Sequence, residues 1–216
     1  MGEIYHVYNR SISEMEIFTT NDEYVRFINA LQFYQIENPR IKFSDFLEQA
    51  PHRAGGINGI SGGMLFPEKK RLIEIIAYCI MPTHFHLSLK ELNEGGIAVF
   101  INNLLNSYTR YFNVKNLRKG TLWEGPTKKV FAETDAQFLH LTRYIHLNPV
   151  TAHLVDKPED WPWSSYREYV ADSRSGKKIC YYDHLIDMGP IAYRTFVEDG
   201  ISYQREMAKA KKHNPI

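Results

Sequence analysis

The segment HFHLSLK, residues 84–90, alternates strictly between polar and apolar side chains. Successive side chains of a β-strand point to opposite faces of the sheet, so this alternation predicts a strand with one apolar and one polar face. Both histidines, His84 and His86, fall on the polar face. The preceding segment, residues 71–80, is apolar on both alternating sets, which is typical of a strand covered on both sides. The chain is therefore predicted to contain a sheet that holds two imidazoles side by side.

Apolar residues at helical spacing predict helices around these strands. The first helix begins at TNDE, residues 20–23, which has the pattern of a capping box, and the second covers about residues 95–115. A third helix covers residues 135–148 and begins at TDAQ, another capping-box candidate. Pro149 is predicted to end this third helix, because proline lacks the N–H that continues the hydrogen-bond ladder.

The remaining segments predict one domain with an insertion and an extension. Residues 3–10 are interpreted as a first strand and residues 121–132 as an extended segment or loose hairpin. Residues 38–70 contain the Gly-rich run AGGINGISGGM and are interpreted as an insertion. The predicted division is a domain of residues 1–155 and a small, mostly helical C-terminal extension of residues 156–216 with a basic tail.

The overall composition is that of an ordinary globular protein, since 44% of the 216 residues are apolar and 24% are charged. Two cysteines, Cys79 and Cys180, cannot form a disulfide scaffold, which favours a reducing compartment. The N-terminal segment MGEIYHVYNR is too polar for a signal peptide, and no apolar run approaches the roughly 18 residues of a membrane span. These features predict a cytoplasmic protein with no membrane partner.

Positive charge is concentrated in one part of the chain. Residues 109–130 carry six Lys and Arg residues against Glu124 alone, a net charge of +5, whereas the formal net charge of the whole chain is +1. Such a block attracts phosphate groups if folding gathers it on one surface. The alternative is a solvated loop that flanks a helix.

The two imidazoles can share one divalent metal ion if a third ligand completes the site. The alternative is a pair of partly exposed histidines that bind no metal. On the helix of residues 135–148, four polar residues fall in one narrow stripe: Gln137, His140, Tyr144 and Asn148. If this stripe faces the histidines, the site gains a phenol from Tyr144 and an amide from Asn148.

This set of groups suits phosphoryl transfer. A phenol can attack phosphorus and form a covalent phosphotyrosine, and a metal ion helps by polarising the scissile phosphate and stabilising the leaving oxygen. No carboxylate is placed as an obvious general base, so the set favours reversible transfer over fast hydrolysis. Imidazole and amide ligands suit Mg²⁺ or Mn²⁺ when phosphate oxygens and water complete the coordination sphere.

Four motifs together resemble a known family. They are YHVYNR at residues 5–10, AYCIMPTHFHLSL at 77–89, RYIHLNPV at 143–150 and WPWSSY at 161–166. In this order and spacing they are similar to the motifs of the REP-associated tyrosine transposases, a group within the single-tyrosine HUH endonucleases. The resemblance covers roughly residues 1–170, with 40–70 as an unmatched insertion.

The resemblance implies an α+β fold, in which a ferredoxin-like antiparallel sheet packs with helices. It implies cleavage and rejoining of single-stranded DNA beside imperfect hairpins, through a 5′-phosphotyrosine on Tyr144 with a free 3′-hydroxyl as the leaving group. His84 and His86 would be the metal-binding pair and Asn148 the third ligand, with Mg²⁺ or Mn²⁺ bound and no small-molecule cofactor. Two positions depart from the family pattern: Thr83 stands where Asn is usual, and Pro126 stands where a basic residue often occurs.

DNA recognition is expected to use aromatic stacking and phosphate contacts. The candidate DNA-binding residues are Asn9, Arg10, Arg118, Lys119, Trp123, Lys128 and Lys129. The expected partner is single-stranded DNA with imperfect hairpins. A monomer is favoured over a homodimer, because the C-terminal extension resembles that of monomeric relatives.

Two alternative functions stay open from the sequence. One is a domesticated protein that binds hairpin DNA or RNA without strand transfer. The other is a replication initiator or relaxase-like HUH enzyme. Such enzymes commonly have a third histidine beside the pair or a second tyrosine on the catalytic helix, but no tyrosine lies three or four residues from Tyr144.

Overall fold

The computed structural model describes residues 3–39, 41–53, 70–171 and 178–213. Its strands and helices are, in chain order, β1 (Ile4–Arg10), α1 (Asn21–Tyr34), α2 (Phe43–Arg53), β2 (Ile73–Ile80), β3 (His84–Glu91), α3 (Gly96–Lys115), β4 (Lys128–Phe131), α4 (Asp135–Thr151), α5 (Tyr166–Val170), α6 (Pro190–Glu198) and α7 (Ile201–His213). Short 3₁₀ turns occupy Ile12–Glu14 and Pro158–Asp160.

Within the described residues, the four strands form one antiparallel sheet in the order β2–β3–β1–β4. The central pair is β1 with β3, while β4 pairs with the other edge of β1 and β2 with the other edge of β3. α1 connects β1 towards β2, and α3 connects β3 towards β4. This order is the ferredoxin-like arrangement, so the predicted α+β fold with an antiparallel sheet is confirmed.

The apolar face of β3 packs against α1 and α3. Phe85, Leu87 and Leu89 are fully buried, as their alternation predicts. The Phe85 ring lies 5.4 Å from the Phe27 ring of α1, which in turn meets the Tyr108 ring of α3 at 5.1 Å. Burial of one large apolar side chain stabilises a fold by about 1.5–3 kcal/mol, so this face provides the hydrophobic core that holds the sheet in place.

The opposite, polar face of β3 is covered by α4, which contacts β2 and β3. His86 and Ser88 on this face are buried, although both are polar. The sheet is therefore covered on both sides, with apolar packing on one side and a partly polar layer under α4 on the other. This polar layer is where the candidate site forms.

Both predicted capping segments form hydrogen bonds at the start of their helices. At the start of α1, the Glu23 carboxylate accepts a hydrogen bond from the Thr20 N–H at 3.0 Å. At the start of α4, the Thr134 hydroxyl accepts from the Gln137 N–H at 3.1 Å, and the Gln137 side chain accepts from the Glu133 N–H at 2.8 Å. Each cap satisfies backbone N–H groups that the first helical turn leaves without partners.

The prediction that Pro149 ends the third helix is wrong, because α4 continues through Pro149 to Thr151. A proline in the last turn removes only the hydrogen bond that its own N–H would donate. The turn still closes, since the Ala152 N–H donates to the Asn148 carbonyl at 2.9 Å. Asn148 therefore keeps its helical position one turn after Tyr144.

The C-terminal extension covers the outer edge of β2. The Ile80 N–H donates to the Trp163 carbonyl at 2.9 Å, and the Ser165 N–H donates to the Tyr78 carbonyl at 2.9 Å. An uncovered sheet edge offers free N–H and C=O groups to other chains, and these bonds remove that opportunity. Beyond this segment, α6 and α7 pack against α4.

The predicted insertion of residues 38–70 contains α2, whose Phe43 and Phe46 rings lie 5.3 and 5.1 Å from the Phe33 ring of α1. The Gly-rich run at residues 54–64 lies outside the described residues. In the part of the chain that the structure covers, no helix combines the length and the apolarity needed to cross a membrane.

His146 of α4 joins the extension to the sheet through a buried hydrogen-bond network. Its Nδ1 lies 2.8 Å from the Tyr193 hydroxyl, and its Nε2 lies 2.8 Å from the Ser165 hydroxyl. The Tyr193 hydroxyl donates to Thr142 at 2.9 Å, which leaves it free to accept the N–H of the His146 Nδ1. Burial lowers the pKa of His146 to about 3, so the ring is neutral in the folded protein at neutral pH.

We predict that this buried histidine makes the fold acid-sensitive. Unfolding exposes a ring of ordinary pKa, so between about pH 6 and pH 4 the unfolded chain binds one proton more at His146 than the folded chain. This difference lowers the free energy of unfolding by about 1.4 kcal/mol for each pH unit of acidification. The variant His146→Gln should lose that part of the slope in urea titrations at a series of pH values. An unchanged slope would contradict the assignment.

Candidate active site

The strand register places the polar residues of three strands in one row. His86 of β3 is opposite Tyr8 of β1, and Tyr8 is opposite Lys128 of β4. Residues directly opposite one another in antiparallel strands share a face of the sheet. His84 and His6 lie on this same face, because each is two residues from a member of the row.

Each predicted metal-binding histidine has one ring nitrogen engaged. The His84 Nδ1 lies 2.9 Å from the Thr83 hydroxyl, and the His86 Nδ1 lies 2.9 Å from the Nε2 of His6. The Nε2 of both His84 and His86 is the nitrogen left for a ligand. Thr83, at the position where the family pattern usually has Asn, therefore supplies a hydroxyl that orients His84.

Burial keeps both imidazoles neutral. It lowers the pKa of His84 to about 4, with a smaller effect from the nearby positive charge of Arg10. It also lowers the pKa of His86 well below its ordinary value, and His84 and His6 add to this effect. A neutral imidazole has the free lone pair that a metal ion needs.

Tyr144 projects from α4 towards these histidines. Its ring lies 5.5 Å from the His86 ring at an interplanar angle of 80°, and 5.8 Å from the His6 ring at 77°. The side chain is 38% exposed, so one side of it remains open to solvent. Burial of the rest raises the pKa of Tyr144, which keeps the phenol protonated at neutral pH.

Asn148 lies one helical turn after Tyr144, as predicted. Its amide nitrogen donates to the Tyr144 carbonyl at 2.8 Å, which leaves the amide oxygen as the atom able to bind a ligand. The other two residues of the predicted stripe have local partners: Gln137 caps α4, and the His140 Nδ1 accepts from Arg143 at 2.8 Å.

The donor set fits a divalent metal ion in its chemistry. His84 and His86 each keep a neutral Nε2, and Asn148 keeps an amide oxygen. Among the described residues, no group of three or more His, Cys, Asp or Glu side chains could hold a metal ion, so this candidate site depends on the Asn148 amide as its third ligand. Two imidazoles and one amide leave coordination positions for phosphate oxygens and water, as Mg²⁺ and Mn²⁺ prefer.

Of the two predicted lysines on β4, only Lys128 shares the face of the histidines. Its Nζ lies 5.8 Å from the centroid of the Tyr8 ring. Lys129 points to the opposite face, where it pairs with Glu91 at 2.9 Å and lies over the Tyr5 ring at 3.7 Å. The two lysines therefore lie on opposite faces of the sheet, although the sequence predicted the same DNA-binding role for both.

Two predicted DNA-contact residues have structural roles instead. Trp123 is only 7% exposed, and its Nε1–H donates to the Thr109 hydroxyl at 3.0 Å. Its ring packs 5.5 Å from Phe85, so it presents no free surface for base stacking. Asn9 is buried, and its amide donates to the Gly125 carbonyl at 3.4 Å and to Thr127 at 3.1 Å. Asn9 thereby holds the turn that leads into β4.

The remaining DNA-binding candidates differ in whether their charged groups already have partners within the protein. Arg10 forms an ion pair with Glu124 and a longer contact with Glu14 at 3.7 Å. Arg118 donates to the Asn113 side chain and to the Thr121 carbonyl, so it shapes the turn after α3. Lys119 is exposed in that same turn.

His6 is a residue of the candidate site that no sequence pattern singled out. Its ring stacks on Tyr8 at 4.6 Å and bonds to His86. The alternation in YHVYNR places His6 and Tyr8 on one face of β1. That signal becomes informative only once β1 is known to lie beside β3, and no local pattern encodes this pairing.

The site combines a half-polar antiparallel sheet with a helix that places the Tyr144 phenol beside the His86 imidazole. A solved structure of a REP-associated tyrosine transposase bound to a REP hairpin has the same fold. Its TM-score is 0.51 at 16% identity, and the match covers 87% of this chain and 89% of that chain.

Sequence comparisons lead to the same group. A Haemophilus influenzae protein, provisionally named a REP-associated tyrosine transposase, is 28% identical over 107 residues, which are 45% of this chain and 61% of that protein. The REP-associated tyrosine transposase of Escherichia coli strain K12 is 26% identical over 106 residues, which are 48% of this chain and 61% of that protein. No protein-family model matches the chain.

The matched segment thus spans about three fifths of the length of these curated relatives, 61% in each case. The resemblance to REP-associated tyrosine transposases that the four motifs predict is confirmed in sequence and in fold.

We predict that Asn9 acts on stability. Asn9→Ala leaves the Gly125 carbonyl and the Thr127 hydroxyl without their donor, and should lower the free energy of unfolding by about 1–3 kcal/mol in urea titrations. The neighbouring exposed variant Arg10→Ala serves as the control, with an expected loss of about 0–1 kcal/mol. Equal stability of Asn9→Ala and the parent protein would refute the structural role.

Proposed function

We propose that this chain is a metal-dependent transposase that cleaves and rejoins single-stranded DNA next to hairpins, through a 5′-phosphotyrosine on Tyr144. The observation that carries the proposal is the position of the Tyr144 ring, 5.5 Å from the ring of His86. The names of the curated relatives and the REP hairpin bound to the structural relative support the substrate class.

The chain's own residues have separate tasks in this proposal. His84, His86 and Asn148 would hold a Mg²⁺ or Mn²⁺ ion. Such an ion would supply Lewis-acid polarisation of the scissile phosphate and stabilisation of the leaving oxygen. Lys128 lies on the same face and offers a positive charge to the DNA backbone. Tyr144 supplies the nucleophile.

The covalent step balances without a further reagent. The Tyr144 oxygen forms a bond to phosphorus, the bond between phosphorus and the 3′ oxygen breaks, and the DNA end leaves as a 3′-hydroxyl. Burial keeps the Tyr144 phenol protonated beforehand, so it gives up its proton as the bond to phosphorus forms, and the 3′ oxygen takes up one proton as it leaves, which makes the step neutral in protons overall. Attack by a 3′-hydroxyl on the phosphotyrosine reverses the step and rejoins a strand.

A monomer is sufficient for this chemistry. The histidine pair, Tyr144 and Asn148 all come from one chain, and α7 of the same chain packs on α4. The proposal therefore needs no residue from a second copy.

One prediction of the proposed function concerns the nucleophile. Incubation with labelled hairpin DNA and Mn²⁺ should give a covalent protein–DNA adduct on a denaturing gel, and Tyr144→Phe should abolish it. Tyr8→Phe is the matched control, because Tyr8 is the other phenol beside His86, with its ring 5.7 Å away. Tyr8→Phe should keep the adduct.

Two results would contradict the proposed function. Tight hairpin binding with no adduct on any suitable DNA would favour a binding protein without turnover. An adduct that persists in Tyr144→Phe would place the nucleophile elsewhere. The salt concentration must be fixed in both assays, since phosphate contacts make affinity strongly salt-dependent.

Another prediction of the proposed function concerns the residues that orient the imidazoles. Thr83→Val and His6→Ala each remove the partner of one Nδ1, and each should weaken Mn²⁺ binding about 10–100-fold, as loss of orienting partners does at other metal sites. The measurement is titration of the DNA-free protein with Mn²⁺, followed by electron paramagnetic resonance of the free ion. His140→Ala, on the exposed side of α4, is the control and should bind Mn²⁺ normally. Unchanged affinity in both orienting variants would refute their role.

A further inference from the structure

A groove of about 820 Å³ runs between α4 and α7 and reaches the candidate nucleophile. Tyr144, Asn148 and Arg143 line its α4 side, and Tyr203 and Met207 line its α7 side. Its volume lies within the range of small-ligand sites in proteins. The groove is therefore large enough for a nucleotide, and its α4 wall carries Tyr144 and Asn148 of the proposed chemistry.

The two walls are fixed relative to each other. The Gln204 side chain donates to the Tyr144 carbonyl at 3.2 Å, and the Arg205 guanidinium donates to the Val150 carbonyl at 3.1 Å. These bonds tie α7 to the backbone of α4 at the nucleophile itself. Tyr203, next to Gln204, is thus held at a set position beside Tyr144.

Arg143 provides a positioned positive charge in the groove. Its guanidinium lies 4.6 Å from the centroid of the Phe196 ring and donates to His140. Its stem passes over Gly200, where a Cβ atom would lie only 2.8 Å from the Arg143 Cδ. None of the ion pairs between described residues includes Arg143, so the N–H groups that do not contact His140 can meet a phosphate.

Tyr203 provides a free aromatic surface. It is 63% exposed although it lines the groove, and Met207 beside it is also exposed. Every nucleic-acid base has a flat face that stacks on an aromatic ring, whatever the sequence. The lining also contains Asp199, so the groove is not uniformly basic. This mixture suits a single nucleotide better than a long run of phosphates.

We propose that the groove between α4 and α7 binds one unpaired nucleotide next to the phosphate that reacts with Tyr144. Its base stacks on Tyr203, and its phosphate contacts Arg143. The proposal rests on the proposed function, in that it gives that site a place for the DNA flanking the scissile bond. It also assigns the C-terminal extension a role in substrate binding.

The test measures binding alone, in the Tyr144→Phe background and without metal. Three fluorescent probes share one hairpin: the first carries four unpaired thymidines on each side, the second carries four abasic residues on each side, and the third is blunt. Tyr203→Ala should weaken binding of the thymidine probe about tenfold. It should leave the abasic and blunt probes unchanged, and Tyr203→Phe should bind all three like the parent.

The phosphate contact of Arg143 is distinguished from base stacking on Tyr203 by the salt dependence of the binding affinity. Arg143→Gln should weaken binding of both the thymidine and the abasic probes, because both carry the phosphates of the unpaired flanking residues, which the blunt probe lacks. For these probes it should reduce the slope of log affinity against log salt by about 0.7, the value for one phosphate contact to a single strand. The blunt probe should be unaffected. Ile191→Ala on α6, which is 84% exposed and outside the groove lining, is the control and should match the parent throughout.

Two outcomes would overturn the groove proposal. In one, Tyr203→Ala binds the thymidine probe as well as the parent does. In the other, Tyr203→Ala weakens the blunt probe equally, which would indicate a general structural effect. Neither outcome depends on strand transfer, so failure of the groove proposal is separate from failure of Tyr144 to form an adduct.

Discussion

The packing of α4 on the polar face of the sheet is the interaction on which the rest of the structure depends. β3 presents imidazoles where a buried strand would normally present aliphatic side chains. Without the helix, that face would be open to water and the histidines would keep ordinary pKa values. With the helix in place, burial lowers the pKa of His84 to about 4 and brings the Tyr144 ring to 5.5 Å from His86. One packing event thus creates both the neutral donors and the nearby phenol.

The position of α4 is fixed from its other side by the C-terminal extension. His146 bonds to Tyr193 of α6 and to Ser165, while Gln204 of α7 bonds to the carbonyl of Tyr144. The extension also completes the outer edge of β2. The same segment therefore protects the sheet edge, holds the helix that carries the phenol and forms the second wall of the groove. Through these contacts, the residues after α4 contribute both to the stability of the sheet and to the shape of the candidate site.

Local patterns predicted much of this architecture. The alternation around His84 and His86 identified the polar face, and the helical stripe selected Tyr144 and Asn148, because both signals lie within one element. Contacts between distant segments were not predictable in this way. The bond from His6 to His86, the burial of Trp123 and the groove formed by α7 all depend on which elements become neighbours. The prediction that Pro149 ends the helix was wrong for a related reason. The general rule about proline does not take into account that Ala152, beyond the proline, donates the hydrogen bond that closes the last turn of α4.

Folding brings one particular phenol to the His84 and His86 pair, so the most direct test of the proposed chemistry is the site of covalent attachment. Tandem mass spectrometry of the protein, after reaction with hairpin DNA and Mn²⁺ and digestion of the DNA, locates the nucleotide that remains attached. The account predicts a nucleotide on Tyr144. Attachment to Tyr8, or to any residue away from His84 and His86, would contradict it.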